Sequence, residues 1–425
     1  MYLADIRAEC GLCRHEHVQR YYHSTPVHSV TLRTLTEIAL GVAAYDYQIT
    51  NGLITSNMRD QVSWGFYIGN FAFLVGVAAA AVVLVVPAYV YNWGPIREVA
   101  LIGELLSVAA IIMCMLFVTV DLGRPEFVWH LMPIVGTPNF PHSLLTWDIL
   151  VLNLYFLINW FVVTYILFKA FTGKKYNARI VLPIIFLSIP FAIGIHTVTA
   201  FLFAGLKSRA FWHTALLAPR FIAGAFCSGP ALIFLIFRVL RKVGRMKISE
   251  AALFKIGELL AYAMAVNLFL VGAEVFTEFY GKTSHSVHAQ FQWFGVHGYE
   301  SIAIYTWVAL SCNVLALIIF MVPKFRFNLH VLTLGCVLSF SGIFIEKGMG
   351  LLLPGLTPDA MGEIYAYTPS AIEVVIGIGI WAIGAFLFTL MVRVANAITT
   401  GDLRMAPAWT GEPGTTDYSH QKIGE

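Results

Sequence analysis

The chain has 425 residues, of which 58% are hydrophobic and 12% are charged, and its mean hydropathy is +0.75. Because a soluble domain carries about 25% charged residues, this composition excludes an ordinary soluble protein and indicates that lipid surrounds most of the chain. The net charge is +3, and the basic residues stand in short loops beside apolar runs, which gives no indication of nucleic-acid binding.

Ten membrane-spanning helices are predicted, because each apolar run reaches about the 20 residues that a span requires. The first, over residues 27–52, is weak since it carries Arg33, Glu37 and Asp46, so a helix lying in the membrane interface is the alternative. Nine clearer spans cover residues 64–91, 98–120, 143–169, 180–205, 215–239, 252–280, 300–322, 329–353 and 370–397. Lipid excludes irregular backbone, and the runs are too long for barrel strands, so the predicted fold is all-α and polytopic.

Basic residues concentrate in every second loop and orient the chain. The strongly basic loops are those around residues 169–179, 238–247 and 324–326. The positive-inside rule predicts that these loops face the cytoplasm and that the protein lies in the cytoplasmic (inner) membrane of the cell. With ten spans both termini are cytoplasmic, so residues 1–26 form an N-terminal segment, residues 27–397 the transmembrane domain and residues 398–425 a tail.

Six cysteines are present. Four of them lie inside apolar spans, where packing explains them: Cys114, Cys227, Cys312 and Cys336. Cys10 and Cys13 form a CxxC motif, which supplies at most half of a zinc or cluster site. Because no second pair follows, a pair of reduced cytoplasmic thiols is the alternative, and no metal site is predicted.

Acidic, imidazole and aromatic side chains concentrate at the predicted outer ends of the spans. At the ends of the second, third and fourth spans these are Trp64, Tyr67, Asp121, Arg124, His142, Trp147 and Asp148. Asp148 lies one to two turns inside its span, where a carboxylate is costly unless it faces a partner or water. An ion pair between Asp148 and Arg124 that holds the helix ends is one interpretation. The other is a quinone head-group site, in which a carboxylate or a histidine takes up a proton as the ring is oxidised.

Further polar residues follow along the chain. These are His196 and Thr199 in the fifth span, Arg220 after the next outer loop, Glu274 in the seventh span and His285 in the loop after it. Histidines and acids among aromatic residues suit proton exchange with a bound ring, whereas hydrogen bonds between helices and an interfacial aromatic belt are the alternatives. Glu104 in the third span suggests a proton path that continues to Asp148.

Cofactor motifs are missing from the sequence. A di-haem bundle needs four axial histidines at paired depths, and His196 is the one histidine well inside a predicted span. The sequence has no phosphate-binding loop, dinucleotide fingerprint or cysteine-rich cluster motif. We therefore predict that this chain holds no redox cofactor and that electrons pass directly between a bound quinone and a partner subunit.

Three motifs resemble those of the NrfD/PsrC family of quinone-interacting membrane subunits: Trp64-Gly65-Phe66-Tyr67, Asp121-Leu122-Gly123-Arg124-Pro125 and Thr146-Trp147-Asp148. The stretch from His196 to Phe201, with Ala204-Gly205-Leu206 and Arg220-Phe221, looks closest to the ten-helix DsrP (HmeB) branch. That branch belongs to the DsrMKJOP complex, which is linked to dissimilatory sulfur metabolism. The resemblance covers roughly residues 60–350.

The resemblance implies two four-helix bundles plus extra helices, with a menaquinone site near the outer face. It implies a partner iron–sulfur protein, similar to a ferredoxin, on that face. The DsrP branch further implies a cytochrome b-type subunit, a multihaem cytochrome c and a cytoplasmic catalytic subunit that carries clusters.

Three functions stay open on the sequence. The first is a quinone-binding subunit of a multi-subunit oxidoreductase, with proton exchange by Asp148, His142, Asp121, His196 and Glu274, and quinone binding by Trp64, Tyr67, Arg124, Trp147, Thr199, Arg220 and His285. The second is a secondary transporter or ion channel, in which Pro190 and Gly194 would break the fifth span, although no inverted partner break is found. The third is a structural anchor for redox partners that binds no quinone itself.

Overall fold

The computed structural model describes residues 25–85, 88, 93–132, 135–243, 248–282, 286–296, 300–359, 361–399, 401 and 403. The CxxC motif of Cys10 and Cys13, the predicted quinone ligand His285 and the tail beyond residue 403 lie outside the described residues. Within the described ranges the chain is built from helices, and no β-strand is present there.

Among the residues that the structure describes, ten long helices carry the fold, in the order that the hydropathy predicts. They are α1 Thr25–Asn51, α2 Phe66–Ala78, α3 Gly94–Asp121, α4 Leu144–Phe171, α5 Ala178–Ala204, α6 Leu217–Val243, α7 Glu250–Gly281, α8 Ser301–Met321, α9 Leu329–Lys347 and α10 Ala371–Thr399. Shorter helical segments are Leu53–Thr55, Ala80–Val85, Pro125–Leu131, Ala210–Trp212, Ser286–Phe294, Pro323–Arg326 and Met349–Leu356. The ninth span, predicted as continuous, is interrupted, because Gly348 separates α9 from the segment Met349–Leu356.

In the part of the chain that the structure describes, eight helices are long and apolar enough to cross a membrane. They are α3 to α10, with α9 taken together with the segment that follows it. The apolar helix α2 has 13 residues, and the segment predicted to complete its span lies partly outside the described ranges. Helix α1 has 27 residues but is not among the eight, which agrees with the weakness predicted from its charged residues. The prediction of an all-α polytopic membrane protein is confirmed.

The helices pack as two four-helix bundles with an additional pair. In the first bundle α2 packs against α3, α3 against α4, α4 against α5, and α5 returns to α2. In the second bundle α6, α7, α8 and α9 form the same closed arrangement. The two bundles meet where α2 and α5 contact α6. Helices α1 and α10 pack against each other, and α10 also contacts α3, so this pair lies against the first bundle.

Two glycines explain how the polar helix α1 attaches to the molecule. A Cβ atom added at Gly41 would lie 2.6 Å from the Cα of Gly379 on α10, so neither position has room for a side chain. Small residues at a helix crossing let the backbones approach closely, which is a common way of associating helices in membranes. The crossing holds α1 in place although it buries few large apolar side chains.

Among the described residues, side-chain caps begin five of the long helices. A backbone N–H of the first turn donates in each case to the side chain of the capping residue, which is Ser143, Asn177, Ser249, Asn328 or Ser370. Such caps satisfy donors that have no partner within the helix itself. Helix α2 differs, because its N-cap residue is Gly65, which has no side chain that could accept a hydrogen bond.

Candidate functional site

A buried carboxylate lies near one end of the first bundle. Asp148 is in the first turns of α4 and is 2% exposed, and its Oδ1 accepts a hydrogen bond from the hydroxyl of Thr199 on α5 at 2.6 Å. Thr199 is completely buried. A carboxylate inside a membrane span requires a polar partner, and here a hydroxyl provides it. The structure therefore brings together two of the residues predicted for the site.

His196 lies one turn before Thr199 on α5 and is also buried. Neither of its ring nitrogens has a hydrogen-bond partner among the described residues. Buried polar atoms are usually hydrogen-bonded, so an imidazole with two unpartnered nitrogens indicates a place for water or a ligand. Residues three apart on a helix share a face, so His196 and Thr199 face the same side of α5.

Tyr67 lies in the first turn of α2, and its hydroxyl bonds to a residue of α1. Its hydroxyl donates to Gln48 Oε1 at 2.6 Å, and Gln48 Nε2 donates to the carbonyl oxygen of Val120 at 2.8 Å. Gln48 belongs to α1, so the weak first helix contributes a residue to the site. Sequence reasoning missed Gln48, although it stands two helical turns from the buried Gly41 and thus on the face of α1 that meets the bundle.

Asp121 follows Val120 as the last residue of α3, and its Oδ1 is buried without a hydrogen-bond partner in the described part of the chain.

An aromatic cluster lies near the same end of the bundle. Trp64 stacks on Trp212 with ring centroids 6.1 Å apart and meets the edge of Phe203 at 5.5 Å. Trp212 also donates to the carbonyl oxygen of Leu351, which ties the cluster to the second bundle.

The expected ion pair between Asp148 and Arg124 is wrong. Arg124 lies in an exposed turn and pairs with Glu126 at 3.0 Å, with 75% of its side chain exposed, whereas Asp148 is buried between helices. Arg124 reaches Glu126, two residues away, while its guanidinium stays exposed. Pairing with the buried Asp148 would require burying that guanidinium, so Arg124 pairs with Glu126 instead. His142 is exposed, and Trp147 donates to the carbonyl oxygen of Pro141, so these two predicted residues lie at the rim.

Arg220 and Glu274 form part of a second cluster, inside the second bundle. Arg220 contacts Glu274 on α7 and Glu346 on α9, the latter at 3.1 Å, and only 5% of the arginine side chain is exposed. Lys347 pairs with Glu346 at 3.4 Å. Asn267 and Asn313 also donate to Glu346, at 3.2 and 2.9 Å. A small cavity of about 30 Å³ is lined by residues of this cluster, among them Arg220, Glu274 and Glu346.

The residue predicted to begin a proton path, Glu104, is buried in α3 with its Oε2 unpartnered among the described residues. It lies about 26 Å from Asp121 along the helix axis, at ~1.5 Å per residue. The hydroxyls of Ser107 and Tyr155 are buried in the same part of the bundle and also lack partners in the described ranges. The proton path from Glu104 to Asp148 stays a prediction.

Metal-binding residues do not cluster in the parts of the chain that the structure describes. There, no three His, Cys, Asp or Glu side chains are placed so that they could hold a metal ion. Cys114, Cys227 and Cys336 are buried and unpaired, and Cys312 is half-buried.

The family is decided by a comparison with known proteins. A family model described as "Polysulphide reductase, NrfD" matches residues 55–357, well over half of the chain. The chain belongs to the NrfD family. The resemblance inferred from the motifs around Trp64, Asp121 and Asp148 is thus confirmed at the level of the family.

Relatives of this NrfD-family chain are named as subunits of oxidoreductases. A protein of Halobacterium salinarum named as a membrane subunit of dimethyl sulfoxide reductase is 25% identical over 390 residues, which cover 82% of this chain and 87% of the relative. The Hdr-like menaquinol oxidoreductase integral membrane subunit of Archaeoglobus fulgidus is 22% identical over 370 residues, 84% of this chain and 90% of that protein. A selenate reductase subunit of Mesobacillus selenatarsenatis is 23% identical over 278 residues, 58% of this chain and 64% of that protein.

Proposed function

We propose that this NrfD-family chain is the quinone-interacting membrane subunit of a multi-subunit oxidoreductase, and that it binds menaquinol or menaquinone at the end of the first bundle where Asp148 lies. The observation that carries the proposal is the buried Asp148–Thr199 pair beside the unpartnered imidazole of His196. A carboxylate and a neutral imidazole are suitable proton acceptors for the two hydroxyls of a quinol. One relative, from Archaeoglobus fulgidus, is named as a menaquinol oxidoreductase subunit.

Oxidation of a quinol to a quinone releases two electrons and two protons. In the proposed mechanism Asp148 accepts one proton and His196 the other, while Thr199 orients the carboxylate. Trp64 and Tyr67 form the wall against which the ring packs, because aromatic side chains present large apolar faces. Asp121 and His142 pass protons on at the rim, where Arg124 and Trp147 contact the entering head group, and Glu104 supplies a second route to Asp148.

The electrons must leave the chain, since we assign no redox cofactor to it. We propose that they pass to a ferredoxin-like iron–sulfur subunit on the outer face, opposite the basic loops. A cytochrome b-type subunit, a multihaem cytochrome c and a cytoplasmic cluster-bearing subunit are further proposed partners, through the resemblance to the DsrP branch and its sulfur metabolism. In this assignment both termini are cytoplasmic and the membrane is the inner membrane of the cell.

For Arg220 and Glu274 we propose a role other than the quinone binding and proton exchange predicted from the sequence. Both belong to the ion-paired cluster of the second bundle, in which Arg220 holds Glu274 and Glu346 together. We propose that they stabilise the bundle beside the quinone site, through Phe221, whose ring lies 5.9 Å from that of Phe203 and 5.5 Å from the Lys347 ammonium.

The break of the fifth span that the transporter alternative requires is not present. Broken helices at the membrane midplane are typical of secondary transporters, yet α5 runs without interruption from Ala178 to Ala204 and includes Pro190. A structural anchor differs from the proposed subunit in one measurable respect, which is that it binds no quinone. Binding of a quinone analogue to the purified complex therefore separates these two functions.

The experiment is the substitution Asp148→Asn in the assembled complex. We expect it to lower the rate of electron transfer from a menaquinol analogue by about 10²-fold or more, the effect typical of removing a general base. The matched control is Asp60→Asn, the same chemical change at an exposed loop residue. Normal turnover of the Asp148→Asn complex, with all of its subunits present in normal amounts, would refute the assigned role.

A further inference from the structure

The first turn of α2 receives its cap from the far end of the chain. The backbone N–H of Phe66 donates to the hydroxyl oxygen of Tyr367 at 2.8 Å. The first N–H groups of a helix have no partner within the helix, and Gly65 at the N-cap position cannot supply one. Tyr367 therefore does for α2 what serine and asparagine side chains do for other helices of this protein.

Tyr367 is itself held by a buried carboxylate. Its hydroxyl donates to Glu373 Oε1, and Glu373 Oε2 accepts the backbone N–H groups of Ser370 at 2.8 Å and Asn57 at 3.0 Å. Glu373 is completely buried at the start of α10. Three donors to one carboxylate satisfy its charged form, and such charge-assisted hydrogen bonds are strong. Burial and the neighbouring Glu373 carboxylate raise the pKa of Tyr367, which keeps its hydroxyl protonated and able to donate.

The contact with Tyr367 explains a glycine of the Trp64-Gly65-Phe66-Tyr67 motif. A Cβ atom added at Gly65 would lie 2.7 Å from the Cζ atom of the Tyr367 ring and 3.0 Å from Met58 Cγ. Real side chains do not approach so closely. The glycine is thus required where the tyrosine ring closes over the beginning of α2.

Trp64 and Tyr67, which form the wall of the proposed quinone site, lie on either side of the capped N–H of Phe66. Trp64, two residues before the capped N–H, stacks on Trp212, and Tyr67, one residue after it, bonds to Gln48. Neither side chain can keep its position if the first turn of α2 frays. We propose that Tyr367 and Glu373 are positioning residues of the quinone site, which fix Trp64 and Tyr67 by capping α2.

This inference rests on the proposed function, and it assigns a role to the helices outside the two bundles. Gln48 comes from α1 and Glu373 from α10. Both residues, and Tyr367 as well, lie outside residues 55–357, which the family model matches. Helices α1 and α10 thus position residues of a site whose proposed proton acceptors, Asp148 and His196, lie within the segment that the family model matches.

The test is Tyr367→Phe in the complete complex, which removes the hydroxyl and leaves the ring. We expect the KM for a menaquinol analogue to rise about tenfold, as for the loss of a buried hydrogen bond, with a smaller change in kcat. Amide exchange of residues 64–70 should become faster, while α4 and α5 keep their protection. The matched control is Tyr365→Phe, since the hydroxyl of this tyrosine of the same loop donates to the Asn57 carbonyl oxygen, whereas that of Tyr367 bonds to the first N–H of α2.

A second variant keeps the proposal testable if Tyr367→Phe does not fold. Gly65→Ala pushes against the tyrosine ring from the other side, and we expect the same rise in KM. Unchanged KM in either folded variant, unchanged exchange at residues 64–70, or an equal rise in Tyr365→Phe would overturn the positioning role while leaving the quinone site intact. A wild-type complex that neither binds nor oxidises the analogue would instead refute the proposed function, and the positioning role with it.

Discussion

The hydroxyl of Thr199 offers the sharpest test of the candidate site. Replacing Thr199 by valine keeps the shape of the side chain and removes the donor that bonds to Asp148 at 2.6 Å. Thr199 is completely buried and Asp148 is 2% exposed, so the surrounding helices enclose both partners of this hydrogen bond. The carboxylate would then lose the hydrogen bond that orients it.

The size of the effect follows from the kind of bond that is lost. A hydrogen bond to a charged group contributes about 1.5 to 3 kcal/mol. Since about 1.4 kcal/mol corresponds to a factor of ten, we expect kcat/KM for a menaquinol analogue to fall about ten- to one-hundredfold. The substitution Thr199→Ser keeps the hydroxyl and should retain most of the activity.

The assay is the oxidation of the analogue by the purified complex, with the amount of each partner protein checked in parallel. The control is Thr197→Val, because Thr197 lies two residues away on the same helix and its hydroxyl bonds to the carbonyl oxygen of Ile193. Full activity of an intact Thr199→Val complex would refute the role of the Asp148–Thr199 pair in proton exchange. An equal loss in Thr197→Val would show that α5 is merely sensitive to the removal of any hydroxyl.

Two further predictions concern the second bundle and the orientation. Arg220→Met should lower the free energy of unfolding by about 3–5 kcal/mol, because it leaves Glu274 as an uncompensated buried charge, whereas Glu346 keeps Lys347. The double variant Arg220→Met/Glu274→Met should recover part of that loss, as measured by denaturation in detergent. An Arg220→Met protein as stable as the wild type would contradict this. The orientation is tested with a thiol reagent that cannot cross the membrane, in a background without the six native cysteines. The reagent should label Asp60→Cys from outside intact cells and Lys175→Cys only after lysis. The reverse pattern would show that the assigned orientation is wrong.

The fold could be predicted from the sequence because hydropathy and loop charge act locally. Ten apolar or semi-apolar runs correspond to ten helices, and the weakness of the first is visible in Arg33, Glu37 and Asp46. The break of the ninth span is not among the predictions, although Glu346 and Lys347 directly before Gly348 interrupt the apolar run. The attachment of α1 was also missed, because it depends on the meeting of Gly41 and Gly379, which are far apart in the chain.

The site could be predicted only in part, because a sequence shows the depth of a residue in the membrane better than the direction it faces. The sequence predicts both Asp148 and Thr199 as site residues, but it does not predict the hydrogen bond between them. Arg220 and Glu274 were predicted as residues of the same site, yet they lie on helices of the other bundle. Arg124 was assigned a distant partner, although Glu126 was available two residues away.

The two polar clusters differ in a way that favours the first as the place of proton exchange. In the second bundle two cations, Arg220 and Lys347, meet two carboxylates, Glu274 and Glu346, so the formal charges of the cluster balance. In the first bundle, within the described residues, Asp148 has a hydroxyl but no cation as a partner, and His196 has no hydrogen bond at all. Protonation of a balanced cluster leaves a net buried charge, which is costly. Protonation of Asp148 removes one, so the first bundle is the more favourable place to receive a proton from a quinol.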